Sequence, residues 1–114
     1  MSITFTTHVL NGTDGTHAAG VALRICAGDI VLAEGITNEG GRLQCEIPVD
    51  ALPADGMILL HIDTEPFWRG RGVPRTGPQI VAGLTLRLIV PRIEGHHHVP
   101  VMLSPNAFSA WWSA

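Results

Sequence analysis

The chain has no lysine and no tyrosine, only two cysteines, and few charges of either sign. Without lysine there is no residue for Schiff-base chemistry; the seven fixed positive charges are all arginines. A genomic base-composition bias also removes lysine, so that shortage says little more by itself. Charged residues make up 15% of the 114, against roughly a quarter in an ordinary domain. A surface so poor in charge suggests that part of it is covered by partner subunits. The formal net charge of −3 argues against nucleic acid as a partner. No apolar run approaches a membrane span, and Met1-Ser2-Ile3-Thr4-Phe5 lacks the basic start of a signal peptide. No membrane partner is expected, and the cytoplasm is the expected compartment. Cys26 and Cys45 have no metal-ligand spacing. Two apolar thiols in a reducing compartment are expected, although sequence leaves a disulfide open. No serine sits in a nucleophile-elbow pattern, and no glycine-rich phosphate loop is present.

What is present is a chain that is 46% hydrophobic, enough for one globular domain, 1–114, with a modest core. Strand-like runs alternate with turn signals. Ile3 to Leu10 is rich in β-branched residues. Val21 to Ala27 and Ile30 to Ala33 flank Gly28-Asp29 as a hairpin. Arg42 to Ile47 and Met57 to Ile62 read as two further strands. Glu65-Pro66-Phe67-Trp68-Arg69, behind Asp63 and Thr64, carries a helix-start signal. Ile80 to Val90 reads as the longest strand, with Leu84, Leu86, Leu88 and Val90 on one face. His97 to Leu103 is the last clear strand, and Asn106 to Ala114 an apolar, aromatic tail. The pattern predicts an all-β fold, a two-sheet antiparallel sandwich with one short helix.

The chemistry-bearing stretch is His96-His97-His98 at the mouth of an apolar run. On a strand, His96 and His98 face one way and His97 the other. Two imidazoles on one surface can exchange protons near neutral pH or hold a metal. His8 lies on a second strand. Arg42 opens a third and can grip a planar anion or a developing oxyanion with two N–H groups. With no nucleophile in evidence, histidine would activate water. His61, in an apolar strand, and Trp68, on the helix, read as structural. His17 occupies a turn and reads as solvated. Arg69, Arg71 and Arg75 read as a solvated basic loop.

Three stretches carry a resemblance. Thr6-Thr7-His8-Val9-Leu10-Asn11 with Ala18-Ala19-Gly20-Val21, then Thr37-Asn38-Glu39-Gly40-Gly41-Arg42, then His96-His97-His98-Val99-Pro100-Val101-Met102-Leu103-Ser104-Pro105 resemble, in order and spacing, the motifs of the transthyretin-related proteins. The last resembles their His-Tyr-His-Val-Pro-Leu-Leu-x-Ser-Pro. The enzymes of that family are 5-hydroxyisourate hydrolases of purine breakdown, which open a six-membered ring by adding water to an amide-like carbonyl. The resemblance implies two four-stranded sheets and a homotetramer with sites at a subunit interface, taking a small heterocyclic substrate. It implies catalytic roles for His8, Arg42 and His98, with neither metal nor cofactor. His96, Trp111 and Trp112 are expected to contact the substrate, the two indoles as a stacking wall for a planar ring; interface packing is the equal alternative for both. The chain departs from the family at its end, where Trp111-Trp112-Ser113-Ala114 replaces Tyr-Arg-Gly-Ser. His97 stands for the motif's tyrosine, and Asn11 where aspartate is common. A diverged enzyme acting on another cyclic amide, or a binding protein for planar ligands, are the other readings.

Overall fold

The computed structural model describes residues 1–72 and 77–113. Arg75 and Ala114 fall outside them. Among the described residues, eight strands, one 3-10 turn and one short helix follow each other: β1 (Ser2–Asn11), β2 (Ala22–Ala27), β3 (Ile30–Ile36), β4 (Arg42–Pro48), the turn Val49–Ala51, β5 (Met57–Asp63), α1 (Glu65–Arg69), β6 (Gly83–Ile89), β7 (Gly95–Ser104) and β8 (Ala107–Ala110). They form two four-stranded sheets, ordered β4-β1-β7-β8 and β3-β2-β5-β6. The sandwich expected from the turn spacing is therefore present. One pair inside it, β1 with β7, runs parallel. Parallel neighbours need a long crossover, and here the chain passes through the second sheet before β7 returns beside β1.

The core follows from period-two alternation. On β1, Ile3, Phe5, Thr7, Val9 and Asn11 are buried, while the residues between them are partly exposed. Ile58, Leu60 and Ile62 of β5 face them from the other sheet, joined by Ile47, Val99, Val101 and Leu103. Burying each such side chain contributes about 1.5–3 kcal/mol relative to leaving it in water. The two buried polar residues of β1 are satisfied. The Thr7 hydroxyl donates to the Val99 carbonyl at 2.6 Å, and Asn11 Oδ1 accepts from the Thr13 N–H and hydroxyl.

Local chemistry explains where the elements begin and end. Gly28, at φ +58, takes the first central position of the β2–β3 hairpin, where a left-handed backbone matches the strand twist. The register shifts between Ile25 and Cys26, a bulge that buries both side chains. β6 starts at Gly83, not at Ile80. The Ile80 and Val81 N–H groups instead donate to Asn106 Oδ1, at 2.7 and 3.0 Å, so they are not available to a sheet ladder. On β6, Leu84, Leu86 and Leu88 do face inward, with Thr85 and Arg87 outward. The C-terminal tail contains a strand that composition did not reveal, since β8 pairs with β7. Cys26 and Cys45 are free thiols, and burial raises the Cys45 pKa above its ordinary value. Among the described residues no helix is long and apolar enough to cross a membrane.

Candidate active site

The outer face of the β4-β1-β7 half-sheet collects the side chains singled out from the sequence. In β1 the inward positions are fixed by the core, so Thr6 and His8 must point outward. Register then decides their neighbours. His8 lies directly opposite Arg42 of β4, and Thr6 opposite Gln44. On the other side, Thr6 pairs with His98 and Thr4 with His96. His8, Arg42, His96 and His98 therefore share one surface. His98 pairs with Thr6 and Arg42 with His8, so across two strand spacings of about 4.8 Å and a two-residue offset they flank β1 about 12 Å from one another. His97 alternates to the inner face.

Thr6 organises the β7 imidazoles. Its hydroxyl lies 2.7 Å from His96 Nε2 and 2.8 Å from His98 Nδ1. One oxygen thus fixes both rings. Thr6 carried no sequence signal beyond its place in the first motif. An open depression of about 530 Å³ lies here, lined among others by Thr6, Asn38, Arg42, Gln44, His96 and His98. His8 does not line it. Instead its Nε2 lies 2.9 Å from Nδ1 of His17, the histidine that sequence placed in a solvated turn. His17 forms a bridge with Leu10, which puts its side chain on the same face. Alternation along β1 and the register of a second segment would have been needed to find it.

The electrostatics are cationic. The His8 pKa is held below its ordinary value, first by burial, then by the Arg42 guanidinium and by His17, and also by His98; a hydrogen bond to the Gly40 carbonyl acts the other way. A neutral imidazole beside a fixed positive charge suits proton uptake from water and attraction of an anion. Among the described residues no group of three or more His, Cys, Asp or Glu side chains could hold a metal ion.

The tail divides. Two backbone hydrogen bonds join His98 to Ser113, at 2.7 and 3.0 Å, and the Trp111 N–H donates to the Pro100 carbonyl at 3.3 Å. Trp111–Ser113 thus prolong the β7–β8 register past β8, whose ladder is interrupted because Pro100 has no N–H to return. In that register Trp111 lies beside Pro100, on the face of His8 and His98. Trp112 lies beside Val99, on the opposite face. Its Nε1–H donates to His97 Nδ1 at 3.1 Å, and it closes a cavity of about 280 Å³ with Phe5, Leu88, Val90, His97 and Val99. The two indoles do not form one wall. Burial, and secondarily His96, lower the His97 pKa.

The remaining residues have local roles. His61 Nδ1 lies 2.9 Å from the Thr85 hydroxyl on the outer face of the second sheet. Trp68 is buried in the core. Arg69 pairs with Glu65 across one helical turn at 3.5 Å, and the Arg71 guanidinium lies 4.0 Å from the centre of the Phe67 ring.

Comparison with known proteins agrees with this architecture. A sequence profile of the HIUase/Transthyretin family matches residues 5–112. A 5-hydroxyisourate hydrolase of Ralstonia nicotianae is 33% identical, over 93% of this chain and 94% of its own. One from Deinococcus radiodurans is 31% identical, over 93% and 92%. Among solved structures, Klebsiella pneumoniae 5-hydroxyisourate hydrolase superposes with a TM-score of 0.76 at 25% identity, covering 97% of this chain and 99% of its own. Sea bream transthyretin in complex with thyroxine shares the fold, with a TM-score of 0.77 at 22% identity over 96% and 94% of the two chains. With the profile spanning nearly its whole length, the chain belongs to the HIUase/Transthyretin family.

Proposed function

We propose that this protein is a hydrolase that opens the ring of 5-hydroxyisourate, a C–N bond cleavage in a cyclic amide. The relatives named above as 5-hydroxyisourate hydrolases support the reaction. The observation that carries it to particular residues is the His8–Arg42 pairing beside His98 on one exposed face. Addition of water to a ring carbonyl needs a proton acceptor, a proton donor for the departing nitrogen and a partner for the negative charge that develops on oxygen. His8 and His98 supply the first two, and Arg42 the third. Thr6 holds His98, and His96 borders the same depression. Trp111 offers a flat apolar surface for a planar ring.

The functional unit in this reading is a homotetramer with the site at a subunit interface. Its support is apolar exposure on the site face, where Met102 is 41% and Trp111 50% accessible. The two free thiols fit a reducing compartment, the cytoplasm.

The test is turnover of freshly generated 5-hydroxyisourate by the parent and by His98→Asn, with light scattering to count subunits. The parent is expected to be an active tetramer, and the variant to lose roughly 10²–10⁴-fold in kcat, the usual worth of a positioned acid or base. A monomer, or a variant as active as the parent, would remove this reading. The Trp-Trp ending favours one other reading, a related enzyme for a more apolar cyclic amide. A parent that ignores 5-hydroxyisourate but hydrolyses such a compound would select it, and tight binding of planar aromatics without turnover would select a carrier.

A further inference from the structure

A histidine that moves protons has its second ring nitrogen held by a partner, commonly a carboxylate or a backbone carbonyl. His98 has a hydroxyl there. Its Nδ1 lies 2.8 Å from Thr6 Oγ1, and among the described residues no carboxylate bonds the ring. Glu46, the carboxylate that β4 presents on this face, is bound by the Ser2 and Thr4 hydroxyls at 3.2 and 2.9 Å. A lone hydroxyl orients an imidazole poorly, because it both donates and accepts and its hydrogen rotates about the C–O bond.

His96 removes that freedom. Its Nε2 lies 2.7 Å from the same Thr6 oxygen. The hydroxyl has one hydrogen, so it can donate to only one of the two rings. At least one ring must therefore present an N–H to it. Whichever ring does so, moving a proton at one changes what the oxygen can offer the other. The fold sets this meeting point. Thr6 stands between the buried Phe5 and Thr7 on β1, directly beside His98 and diagonal to His96 in the parallel register with β7. All three side chains line the depression that also holds Arg42. His96 is exposed, yet its ring is turned onto Thr6 at close hydrogen-bonding distance.

We propose that His96 is a positioning residue that acts on His98 through the Thr6 hydroxyl, and not a contact of the substrate. Engaged by both rings, Thr6 holds His98 at Nδ1, and Nε2 is the nitrogen with which His98 exchanges its proton. Thr6 and His96 end each turnover with the protons they began with. The bridge does for His98 what a carboxylate does for other working histidines, without adding a negative charge beside Arg42.

This role rests on the hydrolase reading, and the experiment separates the two. kcat and KM on 5-hydroxyisourate are compared for the parent, Thr6→Val, Thr6→Ser, His96→Ala and the Thr6→Val, His96→Ala double variant. Valine keeps the β-branched shape that suits a strand and lacks the hydroxyl. Thr6→Val and His96→Ala should each lower kcat by roughly 10–100-fold, the range for groups that orient metal-bound histidines, with KM little changed. Thr6→Ser should retain most of the parent's kcat. The double variant should be no slower than the slower single one, because residues that act as a unit do not add. Losses that multiply would overturn the proposal. So would a Thr6→Val protein as active as the parent, or a His96→Ala protein with raised KM and unchanged kcat. Nitrogen-detected NMR without substrate reads the bridge itself: the His98 ring nitrogen signals should move on His96→Ala in the parent background and stay in place in the Thr6→Val background. If the parent fails on 5-hydroxyisourate, the hydrolase reading falls, and His98 signals that ignore His96→Ala would still overturn the bridge.

Discussion

Replacing Gly41 with alanine would place a methyl group where the edge of the first sheet has no room. Gly41 sits at φ +71, and a Cβ there would lie 2.4 Å from the Val9 carbonyl oxygen and 3.1 Å from the Ala18 nitrogen. Gly15 is the natural control, with φ +77 and nothing within 4 Å of its Cβ position. Both substitutions force an L-residue into the left-handed region, at about 1–2 kcal/mol. Only Gly41→Ala must also move backbone. The groups it would displace make the 2.7 Å bond from the Val9 N–H to the Gly41 carbonyl and the 2.9 Å bond from the Ala18 N–H to the Val9 carbonyl. Losing one of these costs about 0.5–1.5 kcal/mol net, and about 1–3 if a partner stays buried and unpaired. The expected totals are about 1–2 kcal/mol for Gly15→Ala and about 2–5 for Gly41→Ala. Urea unfolding at one fixed protein concentration measures the difference, provided the slopes match. The same methyl would stand 3.4 Å from His17 Cβ and one residue before Arg42. Turnover of the folded Gly41→Ala protein should therefore fall more than that of Gly15→Ala. Equal midpoints for the two variants would refute the argument that this edge is closed.

Arg42→Lys should lower kcat by roughly 10²–10³-fold, the cost of removing one oxyanion partner, because an ammonium cannot reproduce a planar two-pronged contact; steady-state kinetics would show it. Stability should depend on pH with a definite sign. His8 and His97 both have folded pKa values below the ordinary 6.5, so the unfolded chain binds more protons as pH falls below 6.5. Stability is full above 6.5 and is lost below it until the folded rings titrate, so the urea midpoint should drop between about pH 7.5 and 5.5, and less so in a His8→Gln, His97→Gln double variant. Trp111 and Trp112 should separate: Trp111→Ala should change KM on the heterocycle, while Trp112→Phe, which loses the bond to His97, should lower the unfolding midpoint and leave KM alone.

Alternation and turn chemistry made most of the sandwich readable. Ile3 to Leu10 shows its two faces in residue type, and Gly28-Asp29 names its hairpin. Readability failed where a side chain elsewhere competes for backbone groups. Ile80 looks like strand because it is β-branched, but Asn106, 26 residues on, takes its N–H. β8 is short, and all its residues except Ala110 are exposed, so it has no alternating pattern to read. For the site, sequence could place His96 and His98 on one face of a strand by parity alone. It could not bring His8 to them without the register of β1 with β7, or His17 to His8 without the bridge that Leu10 makes. Thr6 was invisible for a related reason: a threonine on an exposed strand face has no marked pattern until two imidazoles close on its hydroxyl.

The departures at the end of the chain also change meaning once their places are known. Read along the sequence, His97 for tyrosine and Trp112 for arginine are two separate losses. In the fold they touch. The indole N–H of Trp112 donates to the inward-facing imidazole of His97, and that ring pair covers the small cavity over Phe5 and Val99. Trp112 is still 56% exposed and Arg87 lines the same cavity, so a charged side chain at 112 would stay hydrated, and what the indole adds is apolar contact and the bond to His97. The two replacements therefore behave as one packing change on the inner side of the first sheet. The outer face retains His8, Arg42, His96 and His98, and of the two tail indoles it receives only Trp111. Any shift in the heterocycle this protein accepts should accordingly be traced to Trp111, half exposed beside Pro100, before it is traced to the rest of the tail.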